Sequence, residues 1–328
     1  MPDYRTIDMT GWGKRDSSER LERWLDERRN YIGGSDAAAI LGLSNWRSAY
    51  ATALDKLGIL PHTESNEAMD LGNEFEETIR QGAYRRLVER GSNEFLVDTK
   101  DTMYVSTIHP FAAVNLDGLL VSNEYGSPVY TGLECKFTDP RGDHGKAILG
   151  AEVSDRWFID IDAVPMDWYA QCQHGMMVRP DLIGFWLAVA TGTSGFRLAF
   201  IPRDGEFIEK MAEQEAAFWD GVKRGEAPVP SGLESDRAIL LDLHPDPEGE
   251  VMLGGEAEEW AADYRFLGGQ IKEFEDERRG LGNKLLLAMG NAKRATAGRY
   301  PINRIQKDYD VKPHHVHSDY VTVGEAKS

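Results

Sequence analysis

Glu134 and Lys136 stand two positions apart in the run Leu133-Glu134-Cys135-Lys136-Phe137, which otherwise reads as a buried β-strand. Side chains alternate along a strand, so the acid and the base project from one side and Leu133, Cys135 and Phe137 from the other. Such a pair is commonly no more than an exposed strand face carrying opposite charges. It becomes a chemical site if a second carboxylate joins it, because a lone acid does not hold a divalent metal. Asp117, in the run Asn115-Leu116-Asp117-Gly118-Leu119-Leu120, is the candidate. It is an acid inside a strand-like run, where Asp is a poor strand former and Gly118 leaves room for close approach. The spacing, 134 − 117 = 17, is that of two adjacent antiparallel strands joined by the turn SNEYGSP. Asp117, Glu134 and Lys136 can then converge. Two carboxylates with a strand carbonyl and water form the hard oxygen set that Mg²⁺ prefers. The competing reading is two unrelated surface acids.

Two helical segments add polar groups. Glu76 follows Gly72 by one turn in LGNEFEETI, and Gln171 and Gln173 lie among apolar residues in WYAQCQHGMM. Surface glutamates and satisfied core amides are commonplace, so neither carries the case alone.

The elements that must position these groups are legible in the spacing. SSERLERWLDERRN, with Ser17 or Ser18 as N-cap, predicts a first helix ending near Arg29, and IGGSDAAAILGLS predicts a turn at Gly33–Gly34, an N-cap at Ser35 or Asp36 and a short Ala-rich helix stopping at Gly42. A helix follows over about 47–57. Met69, Phe75, Ile79, Tyr84 and Leu87 predict a long one over 66–90 that carries Glu76. Between 94 and 137, short β-rich runs split by Gly, Pro and Asn predict a meander. PMDWYAQCQHGMMV returns to helix, LIGFWLAVA and FRLAFIP read as two strands, and GEFIEKMAEQEAAFWDGVKRG as an amphipathic helix. Pro228 and Pro230 mark the best boundary, giving domains 1–227 and 228–328. Beyond it the pattern predicts a polar connector, a helical stretch over 256–289 with candidate breaks at Gly268–Gly269 and Gly280, and strand-like runs in 298–325.

At 328 residues the chain supports one large domain, or one with an appendage. No apolar run is long enough to span a membrane, and the N-terminal residues lack a signal pattern, so a soluble, unprocessed, cytoplasmic chain is expected. Two cysteines, Cys135 and Cys172, are too few for a disulfide framework and suit a reducing compartment. The net charge of −18 argues by itself against a nucleic-acid partner. Local clusters run the other way: Arg28 and Arg29; Arg80, Arg85, Arg86 and Arg90; and Lys293, Arg294, Arg299, Arg304 and Lys307.

Taken in order, an arginine, IGGSDAAAILGLSNW, Gly72 to Glu76, NLDGLL, LECKF and YAQCQHGM closely resemble the phage recombination exonucleases of the lambda-exonuclease or YqaJ-like viral recombinase family, within the PD-(D/E)xK nuclease superfamily. The resemblance covers roughly residues 15–225; the later segment resembles the extension of many phage members more loosely. It implies an α+β fold, a restriction-endonuclease-like core with a central mixed sheet flanked by helices, followed by a C-terminal helical extension. It further implies that Asp117 and Glu134 hold a catalytic Mg²⁺ with the carbonyl of Cys135, that Mn²⁺ is an alternative, and that Glu76 helps bind a second ion. Lys136 would orient or deprotonate the attacking water, and Gln171 would sit beside the reactive phosphate or brace the lysine. Arg28 and Ser35 match positions that hold a 5′-terminal phosphate, and Asn115 and Gln173 are further DNA-binding candidates. Asn115 stands where some relatives have serine, and Glu77 where many have proline.

The implied activity is Mg²⁺-dependent degradation of linear double-stranded DNA from its ends, 5′ to 3′, leaving a 3′ strand for recombination. The implied partners are duplex DNA ends, a single-strand annealing protein of the RecT/Red-beta type, and further copies of the chain in a trimer. An iron–sulfur cluster is excluded, since two cysteines cannot supply four ligands. Two other readings stay open: a repair nuclease or endonuclease on the same fold, and a non-catalytic DNA-end or protein-binding module.

Overall fold

The computed structural model describes residues 2–12, 17–61, 67–124, 126–246 and 248–306. In chain order the first unit contains β1 (Tyr4–Asp8), α1 (Ser18–Arg29), α2 (Gly34–Ile40), α3 (Ala49–Lys56), α4 (Glu67–Glu89), β2 (Phe95–Val97), β3 (Thr102–Ser106), β4 (Ala113–Asn115), β5 (Gly118–Glu124) and β6 (Ser127–Phe137). It continues with α5 (Asp143–Gly150), β7 (Val153–Asp155), β8 (Phe158–Ile159), α6 (Met166–Val178), β9 (Leu182–Ala190), β10 (Phe196–Pro202), α7 (Gly205–Lys223) and α8 (Glu234–Leu243). A second unit, from Asp246 onward, contains α9 (Glu256–Met289), β11 (Arg294–Ala297) and β12 (Tyr300–Asn303). Among the described residues no helix is long and apolar enough to cross a membrane.

The main sheet has seven strands in the order β2-β5-β6-β9-β10-β8-β7, with β6–β9 and β10–β8 parallel and the other pairs antiparallel. This is the expected mixed central sheet flanked by helices. Alternation along β6 decides what each face receives. Leu133, Cys135 and Phe137 point to the face covered by α4, packing with Ile79, Ala83 and Leu87, while Glu134 and Lys136 point to the face covered by α6. The ionic side of the strand therefore faces a helix rather than open solvent. Burial of the apolar side chains beneath the helices supplies the main driving force, at about 25 cal/mol per Å² removed from water.

Close approach of α6 to the sheet needs glycine at two places. The Phe185 ring of β9 fills a notch between Gly132 and Gly175, where an added Cβ would lie 2.4 Å and 2.7 Å from the ring.

The segment expected as one meander divides between two sheets: β3 and β4 join β1 in a separate three-stranded sheet, and β2, β5 and β6 belong to the large one. Asp117 consequently lies outside any strand, at the bend where the chain leaves β4 and enters β5. Thr99 Oγ1 pins that crossing by donating to the Leu116 carbonyl at 2.7 Å. The short helix α2 begins earlier than expected, with Gly33 as N-cap and the Asp36 carboxylate accepting from the Gly33 N–H at 2.9 Å.

Two expectations about the later chain are corrected. The polar connector contains α8, whose buried Asp236 accepts from Ser48 Oγ at 2.6 Å and from the Ser231 N–H and hydroxyl, so the first unit runs to Pro245 and the boundary expected at 227/228 falls inside it. Side-chain ion and hydrogen-bond partners of this kind leave no periodic apolar signature. α9 is continuous through Gly268, Gly269 and Gly280, because a glycine weakens a helix by only about 1 kcal/mol relative to alanine. Of the strand-like tail expected over 298–325, β12 is seen, and the part from 307 lies outside the described residues.

Candidate active site

The antiparallel register of β5 and β6 fixes the core of the site. The ladder runs from Glu124 paired with Ser127 to Gly118 paired with Leu133. Extending the ladder one step beyond β5 puts Asp117 opposite Glu134. One Asp117 oxygen, Oδ2, accepts from the Cys135 N–H at 2.7 Å, which ties the bend to the strand beside Glu134.

Glu134 is 6% exposed and its Oε1 takes two donors, Lys136 Nζ at 2.7 Å and Gln171 Nε2 at 2.6 Å. Gln171, from α6, also accepts from Lys136 Nζ at 2.8 Å through its own Oε1. The amide thus closes a triangle with the acid and the base and holds both in one geometry. Gly34 makes room for it: an added Cβ there would come within 2.9 Å of Gln171 Cγ. The first turn of α2 therefore rests directly on the bridging amide.

The charge balance of this group is unfavourable by itself. Burial, then the charges of Glu134 and Glu76, push the Asp117 carboxyl well above its ordinary range, against the pull of Lys136 and the Cys135 N–H. For Lys136, burial pulls the ammonium down, but Glu134 and Asp117 outweigh it and the net direction is up. The thiols of Cys135 and Cys172 are both driven up, by burial and then by these acids or by Glu134, which makes them poor nucleophiles.

The donor set fits a hard divalent cation. Asp117 Oδ1 and Glu134 Oε2 take no hydrogen bond from a described residue, so two carboxylate oxygens remain uncommitted while their partners are anchored. Their mutual repulsion is the kind a cation relieves. Asp117, Glu134 and the Cys135 carbonyl are the groups that could hold it. Among the described residues no three His, Cys, Asp or Glu side chains form a ligand cluster, so Glu76 is not brought into a side-chain trio with the other two. Its carboxylate pairs with Lys100 Nζ at 3.1 Å.

A cavity of about 610 Å³ opens beside this group, lined among others by Glu76, Asn73, Lys100, Asp117, Asn115, Gln171, Arg28 and Ser35. Glu134 and Lys136 do not line it; they join it through Gln171. Arg28, from the last turn of α1, donates to Ser35 Oγ at 3.0 Å and lies over the Trp24 ring at 4.8 Å. Behind it stands a buried pair, Lys56 Nζ and Asp36 Oδ2 at 2.7 Å, each side chain 1% exposed, with Lys56 also donating to the Arg28 carbonyl. Burial raises Asp36, but Lys56, Arg28 and Arg47 outweigh it and hold its carboxyl far below the usual range.

Two expected DNA-binding residues have other work. Gln173 is fully buried and does not line the cavity; Nε2 donates to the Pro202 carbonyl at 2.9 Å and Oε1 accepts from the Asp204 N–H at 3.0 Å. Two residues from Gln171 on a helix, it is turned to another side, and the structure removes it from the site. Asn115 does line the cavity, yet it accepts from Trp24 Nε1 at 3.2 Å and donates to the Thr102 carbonyl at 3.2 Å, so it positions Trp24. Sequence reasoning missed Lys100, Lys56 and Trp24. Each looks like an ordinary residue on its own element, and only tertiary packing brings it to Glu76, Asp36 or Arg28.

Comparison with known proteins adds the following. Residues 23–193 match the family described as the YqaJ-like viral recombinase domain. The chain is 27% identical over 291 residues to the uncharacterised protein YqaJ of Bacillus subtilis (strain 168), covering 87% of this chain and 83% of that one. Among solved structures it is similar to an alkaline exonuclease, LHK-Exo, from Laribacter hongkongensis, at 16% identity over 68% of this chain and 99% of that one, with a TM-score of 0.42. The same exonuclease in complex with dAMP gives 17% identity at the same coverage and a TM-score of 0.45.

Proposed function

The chain belongs to the family of YqaJ-like viral recombinase domains, and on that premise we propose that it is a Mg²⁺-dependent exonuclease that degrades linear double-stranded DNA from the 5′ end and leaves a 3′ single strand for annealing. One observation carries the reading. Two acids at the end of the β5–β6 ladder, with a lysine and a bridging glutamine, adjoin a cavity that is also lined by a guanidinium and a hydroxyl.

When bound, the metal supplies charge stabilisation for the phosphoryl oxygens and a more acidic water. The chain's own residues do the rest. Asp117 and Glu134 would hold the ion through their uncommitted oxygens, together with the carbonyl of Cys135, the residue after Glu134. Lys136 Nζ, held as an ammonium by Glu134 and fixed by Gln171, would orient the attacking water or stabilise the charge that develops on the phosphate. Glu76, paired with Lys100 Nζ here, would help hold a second ion. Arg28 and Ser35 receive the terminal 5′-phosphate, a role suited to a forked, charge-assisted contact. Mn²⁺ substitutes for Mg²⁺ on the same oxygen ligands. The strand left behind is the substrate of a single-strand annealing protein, and several copies of the chain enclose the duplex.

The test compares 5′-phosphorylated linear, 5′-hydroxyl linear and circular duplex with and without Mg²⁺. Loss of linear duplex only with metal, fastest on phosphorylated ends, is expected. Cleavage of circular DNA would favour an endonuclease, and no metal-dependent loss of any substrate would favour a binding module.

A further inference from the structure

One stretch within the second unit, residues 278–306, has a charge opposite to that of the whole chain. The protein has a net charge of −18, yet residues 290–306 contain Lys293, Arg294, Arg299 and Arg304 and no acid at all. Residues 278–289 just before them add Arg278, Arg279 and Lys284, again with no acid. Arg279 is paired with Asp276 one turn earlier on α9 at 2.7 Å, and none of these three cations lies in the last turn of that helix. In the hairpin that follows, Arg304 Nη1 donates to the Gly290 carbonyl at the end of α9 at 2.9 Å, whereas among the described residues Lys293, Arg294 and Arg299 make no such contact with the helix end.

β11 and β12 pair antiparallel, Arg294 with Asn303 and Ala297 with Tyr300, each pair summing to 597. Lys293 and Arg304 continue the same ladder, 293 + 304 = 597, and the Arg304 N–H donates to the Lys293 carbonyl at 2.9 Å. Two like charges are thus placed directly across from one another, an arrangement that destabilises a hairpin. No acidic partner offsets it: among the described residues none of Lys293, Arg294, Arg299 and Arg304 is in an ion pair, and all four are exposed. The tip adds Arg299 beside Gly298, whose φ of +58° is the left-handed turn conformation that glycine adopts without strain. Next to it Tyr300 is 63% exposed, with the Arg299 guanidinium 5.3 Å from its ring.

We infer that the β11–β12 hairpin is a binding site for single-stranded DNA, with Lys293, Arg294, Arg299 and Arg304 on successive phosphates and Tyr300 against an unpaired base. Cations without acids, interleaved with an exposed aromatic ring, are the chemistry that holds an unpaired strand, because every base offers a π-face that a duplex keeps hidden. A phosphate backbone also relieves the Lys293–Arg304 repulsion that the fold itself leaves in place. The choice of DNA over RNA rests on the proposed nuclease reading; the hairpin residues themselves include none of Asp117, Glu134 and Lys136.

The experiment measures binding of a fluorescent oligo-dT to the full chain in EDTA, by anisotropy, over a series of salt concentrations. Three proteins are compared: the wild type, the quadruple variant K293Q/R294Q/R299Q/R304Q, and Tyr300→Ala. Each phosphate contact to a single strand contributes about 0.7 to the slope of log K against log salt, so the quadruple variant should lose about three from that slope and more than tenfold in affinity. Tyr300→Ala should weaken binding by about fivefold to a hundredfold with the slope unchanged, as loss of stacking predicts. Thermal melts matching the wild type show that neither variant acts through misfolding. Wild-type affinity and slope in the quadruple variant, with the wild type still degrading linear duplex in Mg²⁺, would overturn the hairpin site alone. A wild type that neither binds DNA nor degrades it would overturn both readings.

Discussion

Asp117 and Asp36 lie near the same cavity and are displaced in opposite directions. Asp117 is pushed up, by burial and by the nearby acids Glu134 and Glu76, with one lysine in opposition. Asp36 is pulled down against its burial by Lys56, Arg28 and Arg47. The first cluster has more anionic than cationic charge, and the second has more cationic than anionic. A region short of positive charge takes a metal ion, and a region with a surplus takes a phosphate. In the proposed function, the cation at the reacting bond and the anchor for the end of the strand would both follow from the imbalance of these two groups of charges rather than from any one residue. Gly34 couples them, since the helix that carries Ser35 and Asp36 rests on Gln171.

The largest break in the comparison comes from removing the acids themselves. Asp117→Ala and Glu134→Ala each delete an oxygen that could hold the metal and should abolish cleavage of linear duplex, while circular dichroism shows the fold kept. Lys136→Ala should lose about 10²–10⁴ in rate with metal binding retained, as the loss of an acid–base or orienting group predicts. Normal turnover in any of the three places the chemistry elsewhere.

A smaller effect separates positioning from chemistry. Gln171 touches Glu134, Lys136 and Gly34, so Gln171→Ala should cost about 10–100-fold in kcat, the range for a partner that orients a ligand. Gln171→Glu should not restore the rate, because a carboxylate accepts from Lys136 but cannot donate to Glu134. Full activity in either variant would mean that the triangle is not part of the reaction.

Arg28→Ala tests the positive region. A charge-assisted hydrogen bond is worth about 1.5–3 kcal/mol, so digestion of 5′-phosphorylated ends should slow by roughly tenfold to a hundredfold, with metal affinity unchanged. If Arg28 served only the end of α1, its loss would cost about 0.3–1 kcal/mol of stability and leave the phosphate preference intact.

Much of this was legible in the sequence where one element decides the outcome. The alternation of Leu133, Glu134, Cys135, Lys136 and Phe137 and the spacing to Asp117 point to one meeting place, and Asp117 does reach the Cys135 N–H beside Glu134, though from a bend rather than from within a strand. α7 showed the same way, having an apolar face of its own in Ile208, Met211, Ala212, Phe218 and Val222. What stayed hidden needs contacts between distant elements. Nothing local shows that Gln171 faces inward and Gln173 bonds a backbone, that Lys56 is buried rather than solvated, or that β4 and β5 belong to different sheets. The acid in α8 that holds Ser48 was read as part of a linker for the same reason.

The finest test of the comparison is thermal stability without metal, where the two aspartates should respond with opposite sign. A folded pKa above the unfolded value means that the folded protein binds the proton more tightly, so stability falls as pH rises through that window. At neutral pH Asp117 is past the unfolded value, and Asp117→Asn removes the penalty while its amide oxygen can still accept from the Cys135 N–H. The variant should melt a few degrees above the wild type, at about 2–4 °C for each kcal/mol released, despite being inactive. Added Mg²⁺ should raise the melting temperature of the wild type and not that of the variant. Asp36 has a depressed pKa, so its contribution is present above the unfolded value and is lost as pH falls through the folded one. Asp36→Asn leaves Lys56 buried without its counter-charge, a change that typically costs about 3–5 kcal/mol. Burial already pulls the Lys56 ammonium down, so that lysine can shed its proton and the loss should fall at the lower end of that range. Melting curves of the two variants at pH 7 in EDTA, displaced to opposite sides of the wild type, are the expected result. Displacement of both to lower temperature would show that the Asp117 cluster is balanced as it stands and has no need of a cation.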